Sequence, residues 1–180
     1  SRRMTVHSSL RSSASLVVRN GLLVREAGKR RDPHAIRVEN TAGKRIGYLA
    51  ATVATWLAPL IDRGMLRVEG CLRGNSPTGW EPSTGSRRLV LTIFLRPAGR
   101  PLFQKILTHP GEDARQGMVC QAYKKALQNP NHKEILQALE HLRPLEQQEL
   151  LPETRLLLAL LPSIAREAQV AQARAAGYPF

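Results

Sequence analysis

The chain has 180 residues, carries 27 Lys and Arg against 14 Asp and Glu for a formal charge of +13, and is only 4% aromatic. That length suits one ordinary domain or two small ones and suffices to bury a core. No apolar run approaches the roughly 18–20 residues that span a bilayer, so the expectation is a soluble chain without a membrane partner. It begins Ser1-Arg2-Arg3 with its first Met at position 4, which suggests a fragment or a processed form.

The first half reads as strands. Short runs rich in Val, Ile and Leu, bounded by turn residues, lie at Leu16–Val18, Leu22–Arg25, Ala35–Val38, Arg45–Leu49, Leu66–Leu72 and Leu89–Leu95. Asn20-Gly21 is a tight-turn signal, because Gly tolerates the positive φ such a turn requires, and Asn40-Thr41-Ala42-Gly43 offers a second hairpin loop. One helix interrupts them. From Ala50 to Asp62 the spacing of Val53, Trp56, Leu57 and Leu60 is helical, Pro59 lies near its end and Gly64 stops it. Residues 73–88, with Gly74, Pro77, Gly79, Pro82 and Gly85, read as a long loop. The natural architecture is a compact barrel-like sheet with one helix.

From Pro97 onward the pattern becomes helical. Met118, Val119, Ala122, Tyr123, Ala126 and Leu127 form one apolar stripe, ended by Asn129-Pro130, and Ile135, Leu136, Leu139 and Leu142 form the next. Leu156–Leu161 is apolar nearly all round and should be the most buried part. Ser163 is placed to cap a last helix with Ile164, Ala168 and Ala171 facing inward.

The charge is unevenly spread. Residues 1–100 hold 18 Lys and Arg against 6 Asp and Glu, whereas residues 101–180 hold 9 against 8. Phosphate attracts such a surplus through Coulomb energy and counterion release, so a nucleic-acid-facing module joined to a nearly neutral one is expected. Little points to catalysis, a metal or a cofactor. There is no Walker A motif, since Gly43-Lys44 lacks the upstream glycine and the following hydroxyl, and His7, His34, His109, His132 and His141 make no ligand cluster. Cys71 and Cys120 stand alone and read as reduced thiols of an intracellular protein.

The most informative stretch runs through Arg25-Glu26, Asp32-Pro33-His34-Ala35-Ile36-Arg37-Val38, Gly47-Tyr48-Leu49 and Trp56-Leu57-Ala58-Pro59-Leu60. Over residues 5–96 it resembles the HIRAN domain. The resemblance implies an α+β fold, a small OB-like β-barrel with one inserted helix, and residues 97–180 are then an all-α helical extension outside it. It also implies a non-catalytic module that holds single-stranded DNA or a DNA 3′ end, as in SNF2-type fork remodellers, and so a nuclear repair protein with any ATPase or nuclease elsewhere.

Carried over by position, Asp32 is the candidate acceptor of a terminal hydroxyl, Tyr48 a base contact and Arg25 the pattern's arginine. The sequence departs from the pattern at Arg31, where an aromatic is usual, and at Leu10-Arg11, where the first strand should bear an aromatic pair. Fewer platforms and the Lys29-Arg30-Arg31 run shift the expected binding from stacking toward phosphate. Each residue also has a plainer reading. Asp32 before Pro33 suits an Asx turn, Tyr48 an edge of the core, and Arg25 an ion pair with Glu26 or Glu39. Trp56 suits the core, and Trp80 either stacks a base or pins its loop. A rival assignment makes helices 114–176 a docking element for a protein partner.

Overall fold

A computed structural model describes residues 4–11, 22–73 and 86–177, with backbone only at 4–11, 71–73 and 86–88. The chain divides into two compact units, Ser1–Gly99 and Arg100–Phe180.

The first unit contains β1 (Met4–Arg11), β2 (Leu22–Arg25), β3 (Ile36–Glu39), β4 (Arg45–Tyr48), α1 (Ala51–Asp62), β5 (Leu66–Arg73), β6 (Ser86–Leu95) and a 3-10 turn at Pro97–Gly99. The strands form two antiparallel three-stranded sheets, β1-β6-β5 and β2-β3-β4. The expected closed barrel is not shown: among the described residues, strand pairing stops at these two sheets. β1 was not among the strands read from alternation, because His7, Ser8 and Ser9 dilute its apolar pattern, although the HIRAN resemblance puts a first strand at Leu10-Arg11. The expected strand at Leu16–Val18, the Asn20-Gly21 turn and nearly all of the 73–88 loop lie outside the described residues.

Period-two alternation sets the core. Ile36 and Val38 of β3 are buried while Arg37 and Glu39 are half-exposed, and Leu89, Leu91 and Ile93 of β6 are buried together with Trp56, Leu57 and Leu60 of α1. Trp56 thus serves the core. The hairpin between β3 and β4 is closed by Asn40, whose Oδ1 accepts from the N–H groups of Ala42 at 3.0 Å and Lys44 at 2.8 Å.

Helix α1 ends in a Schellman turn. The Gly64 N–H donates to the Ile61 carbonyl at 2.8 Å and the Met65 N–H to that of Leu60 at 3.0 Å, with Gly64 at φ +68°. Gly99 is required for a different reason. A Cβ there would meet the Met65 carbonyl oxygen at 2.7 Å, an oxygen that already accepts from the Arg96 N–H at 2.9 Å.

The second unit comprises α2 (Arg100–Thr108), α3 (Ala114–Gln128), α4 (His132–Leu142), a 3-10 turn (Arg143–Gln147) and α5 (Pro152–Ala175). α5 packs against both α3 and α4, and Leu156, Leu157, Leu158, Leu160 and Leu161 are all buried. The expected break before Ser163 does not occur: α5 runs through Pro162 as one helix of 24 residues. Leucines ahead of Pro162, and Ala165 and Ala168 beyond it, are buried on both sides of the proline, and tertiary packing outweighs its cost. Ala171, expected inside, is exposed. So are Met118 and Leu136, at 47% and 44%, because Val119, Cys120, Tyr123 and Ile135 supply the buried stripes instead. Burial pushes the Cys120 thiol pKa up, which suppresses thiolate formation.

Asn131 caps α4, its Oδ1 accepting from the Glu134 N–H at 3.2 Å, and Asp113 caps α3 by accepting from the Arg115 N–H at 3.0 Å. The Arg115 guanidinium also donates to both Asp113 oxygens, at 3.0 and 2.8 Å. Hydrogen bonds from this side chain and its backbone N–H lower the Asp113 pKa to about 2. Among the described residues, no helix is long and apolar enough to cross a membrane.

Candidate nucleic-acid interface

Residues 26–35 connect β2 to β3 through successive short turns. The Glu26 N–H donates to the Ala35 carbonyl, and the N–H groups of Lys29, Asp32 and Ala35 donate to the carbonyls of Glu26, Lys29 and Asp32, all at 3.0–3.2 Å. The segment is therefore a stitched loop with a defined shape, and it presents Lys29, Arg30 and Arg31 outward, all exposed.

Arg25, at the end of β2, anchors this loop. Its Nε and Nη2 donate to the two carboxylate oxygens of Asp62 at 2.9 and 2.8 Å, while Nη1 and Nη2 donate to the carbonyls of Ala35 at 2.9 Å and Pro33 at 2.7 Å. One planar fork thus joins the C-terminal end of α1 to the base of the loop, a geometry that a lysine cannot reproduce. Its partner is Asp62 rather than the expected Glu26 or Glu39. The side chain is 15% exposed and its donors are engaged, which makes Arg25 an organiser of the loop.

Asp32 adopts the Asx geometry of its plainer reading. Its Oδ1 accepts from the His34 N–H at 3.0 Å, and among the described residues no donor reaches Oδ2. The half-buried side chain keeps one acceptor oxygen open.

Tyr48 closes β4 opposite Arg37. Lys29 Nζ sits 3.9 Å from the centre of its ring, and the Arg45 guanidinium carbon lies at 5.9 Å. Arg37 donates to Glu26 at 2.6 Å and to Glu39 at 2.5 Å. Partial burial works against the Arg37 charge, but the two carboxylates outweigh it and raise the pKa. Glu26 turns its other oxygen toward Lys29, 4.0 Å away. The structure therefore brings Lys29 and Tyr48 together, adds Arg45, which the sequence reading had not singled out, and leaves Trp80 outside the described residues. Arg45 was legible only as a strand residue; its approach to Tyr48 depends on strand register.

Every carboxylate described in this unit is engaged: Glu26 and Glu39 by Arg37, Asp62 by Arg25, Glu69 by Arg67 and Asp32 by backbone. Arg30, Arg31, Lys44 and Arg45 pair with no carboxylate among the described residues. Among the described residues, the 29–31 loop and the start of β4 thus carry cations not paired with carboxylates.

Two antiparallel sheets with one helix, and a basic loop between two strands, define a small α+β domain. Residues 20–93 match the family model of the HIRAN domain. Similar solved structures include the crystal structure of the HIRAN domain of human HLTF, at 19% identity over 55% of this chain and 82% of that one, with a TM-score of 0.45. The HLTF HIRAN domain in its DNA-bound conformation matches at 22% identity over 58% and 86%, TM-score 0.43. A protein from Lactobacillus plantarum matches at 20% over 53% and 100%, TM-score 0.39. No curated protein matches the chain.

Proposed function

We propose that residues 5–96 act as a non-catalytic nucleic-acid-binding module that takes single-stranded DNA or a DNA 3′ end. On this reading the module targets a nuclear repair or remodelling protein to stalled forks or damage, and residues 97–180 are its helical extension. The HIRAN match over residues 20–93 supports this. The observation that carries it is electrostatic: the unit's described acids are consumed in holding its frame, while Lys29, Arg30, Arg31, Lys44 and Arg45 gather around the loop and β4. Asp32 retains Oδ2 as the acceptor for a terminal hydroxyl, a charge-assisted bond that only a chain end supplies. Trp80 is a further proposed base contact.

Fluorescence anisotropy with labelled 20-mers ending in a 3′-hydroxyl or a 3′-phosphate, and with a blunt duplex, tests the proposal at two salt concentrations. A preference for the 3′-hydroxyl strand that Asp32→Ala removes is the expected result. Equal, salt-sensitive binding of all three reduces the module to a general phosphate clamp, and no binding at low salt overturns it.

A second reading rests on the exposed Met118, Leu136 and Leu151 of the helical unit, an apolar set suited to a protein partner. It predicts that residues 100–180 alone retain a partner of the full chain, and that Met118→Glu or Leu136→Glu releases it.

A further inference from the structure

The Lys29–Tyr48 contact changes what a nucleic acid can find at this edge. A nucleobase stacks on a tyrosine through the ring face, and any base does so because each has a π face. Here a cation of the same chain already holds the ring at 3.9 Å. The arrangement is built rather than incidental. Lys29 lies in the stitched loop with its N–H on the Glu26 carbonyl. Glu26, fixed by Arg37, directs its second carboxylate oxygen toward the ammonium. Arg37 in turn stands opposite Tyr48 in the strand register. Carboxylate and ring therefore converge on one ammonium, and Arg45 adds a second positive group beside the same ring.

We infer that Lys29 is the specificity-determining residue of this surface: by covering the Tyr48 ring it excludes a stacked base and makes the site a reader of phosphate, indifferent to base. The inference rests on the proposed nucleic-acid binding and deepens it by naming the part of the ligand that is recognised. A phosphodiester meets Lys29 and Arg45 as a pair of charges over an occupied ring. A base meets a cation that it must first displace.

Removing the cover should create base recognition where there was none, an effect that a merely structural lysine would not have. The probes are a 20-mer of thymidine and a wholly abasic deoxyribose-phosphate strand of the same length, titrated against the full chain. For wild type, Lys29→Met, Tyr48→Ala and the double variant, the quantity read is the ratio of the two affinities, and circular dichroism confirms the fold of each. Lys29→Met should raise the preference for the thymidine strand by about 5- to 100-fold, the usual effect of one base–aromatic stack. Adding Tyr48→Ala should abolish that gain, whereas Tyr48→Ala alone leaves the wild-type ratio unchanged. The salt slope of Lys29→Met should also fall by about 0.7, one phosphate contact on a single strand. Lys29→Arg, which keeps a cation over the ring, should behave as wild type.

The inference is overturned if Lys29→Met gains no base preference while both strands still bind. It is equally overturned if Tyr48→Ala lowers the ratio in wild type as much as in Lys29→Met, because the ring would then already be stacking bases. Failure of wild type to bind either strand overturns the nucleic-acid reading itself, and this inference with it.

Discussion

The two units treat charge in opposite ways. In the helical unit, acids and bases nearly balance, and the pairs seen there lie at a helix end or between successive helices: Arg115 with Asp113, Arg143 with Glu140, and Lys125 of α3 with Glu134 of α4. In the first unit acids are scarce, and two of them tie distant parts of the chain, Asp62 to Arg25 across 37 residues and Glu26 to Arg37 across 11. A fold short of carboxylates can spend them on geometry and leave the remaining cations to solvent or to an anionic partner. Net charge alone would not reveal that division; the pairing does.

The comparison breaks most visibly if the surplus cations are reversed. Lys29→Glu/Arg30→Glu/Arg31→Glu should weaken single-stranded DNA binding by about 100-fold or more and cut the salt slope by about 2. Reversing Lys124, Lys125 and Lys133 of the helical unit should change affinity by less than about threefold, because acids and bases nearly balance in that unit. Anisotropy titrations across a salt series read both.

Removing one of the ties comes next. Arg25→Ala takes the fork's donors from Asp62 and the Pro33 carbonyl and leaves the Ala35 carbonyl only the Glu26 N–H, and should cost roughly 2–3 kcal/mol by chemical denaturation. Arg25→Lys should recover only part of that loss. Gly99→Ala drives a methyl against a backbone oxygen and should cost about 1–3 kcal/mol, with little effect on DNA affinity.

The smallest effect concerns the paired unit. The Asp113 pKa is lowered to about 2 in the folded protein, against an ordinary value of 3.8. Its contribution is therefore fully present above about pH 4 and fades as the pH falls through about 2. A thermal melt of residues 100–180 followed across pH 2–5 should show this fall, and Asp113→Asn should flatten it.

Much of the fold was legible because its signals are local. β2, β4, α1 and β5 lie within a residue or so of their expected bounds, since alternation, the Gly64 stop and the Asn40 hairpin are all written in short windows. Alternation missed β1 because His7-Ser8-Ser9 interrupts it, and α5 runs longer than expected because a proline's local penalty says nothing of the packing on either side. The site was half legible. The triple basic run and Tyr48 stood out by type, but Arg25 finding Asp62 and Arg45 reaching Tyr48 are consequences of tertiary register that no short window contains.

The stitched loop has a consequence for a protease. Lys29, Arg30 and Arg31 are three successive trypsin sites on an exposed segment, yet the segment's four backbone hydrogen bonds and the Arg25 fork oppose the extended shape that a protease cleft demands. Cleavage there must wait for the loop to open, and when opening is fast its rate reports the open population directly. Digestion kinetics thus offer a gauge of how firmly one arginine holds the loop closed, and a bound anion should slow the same cut.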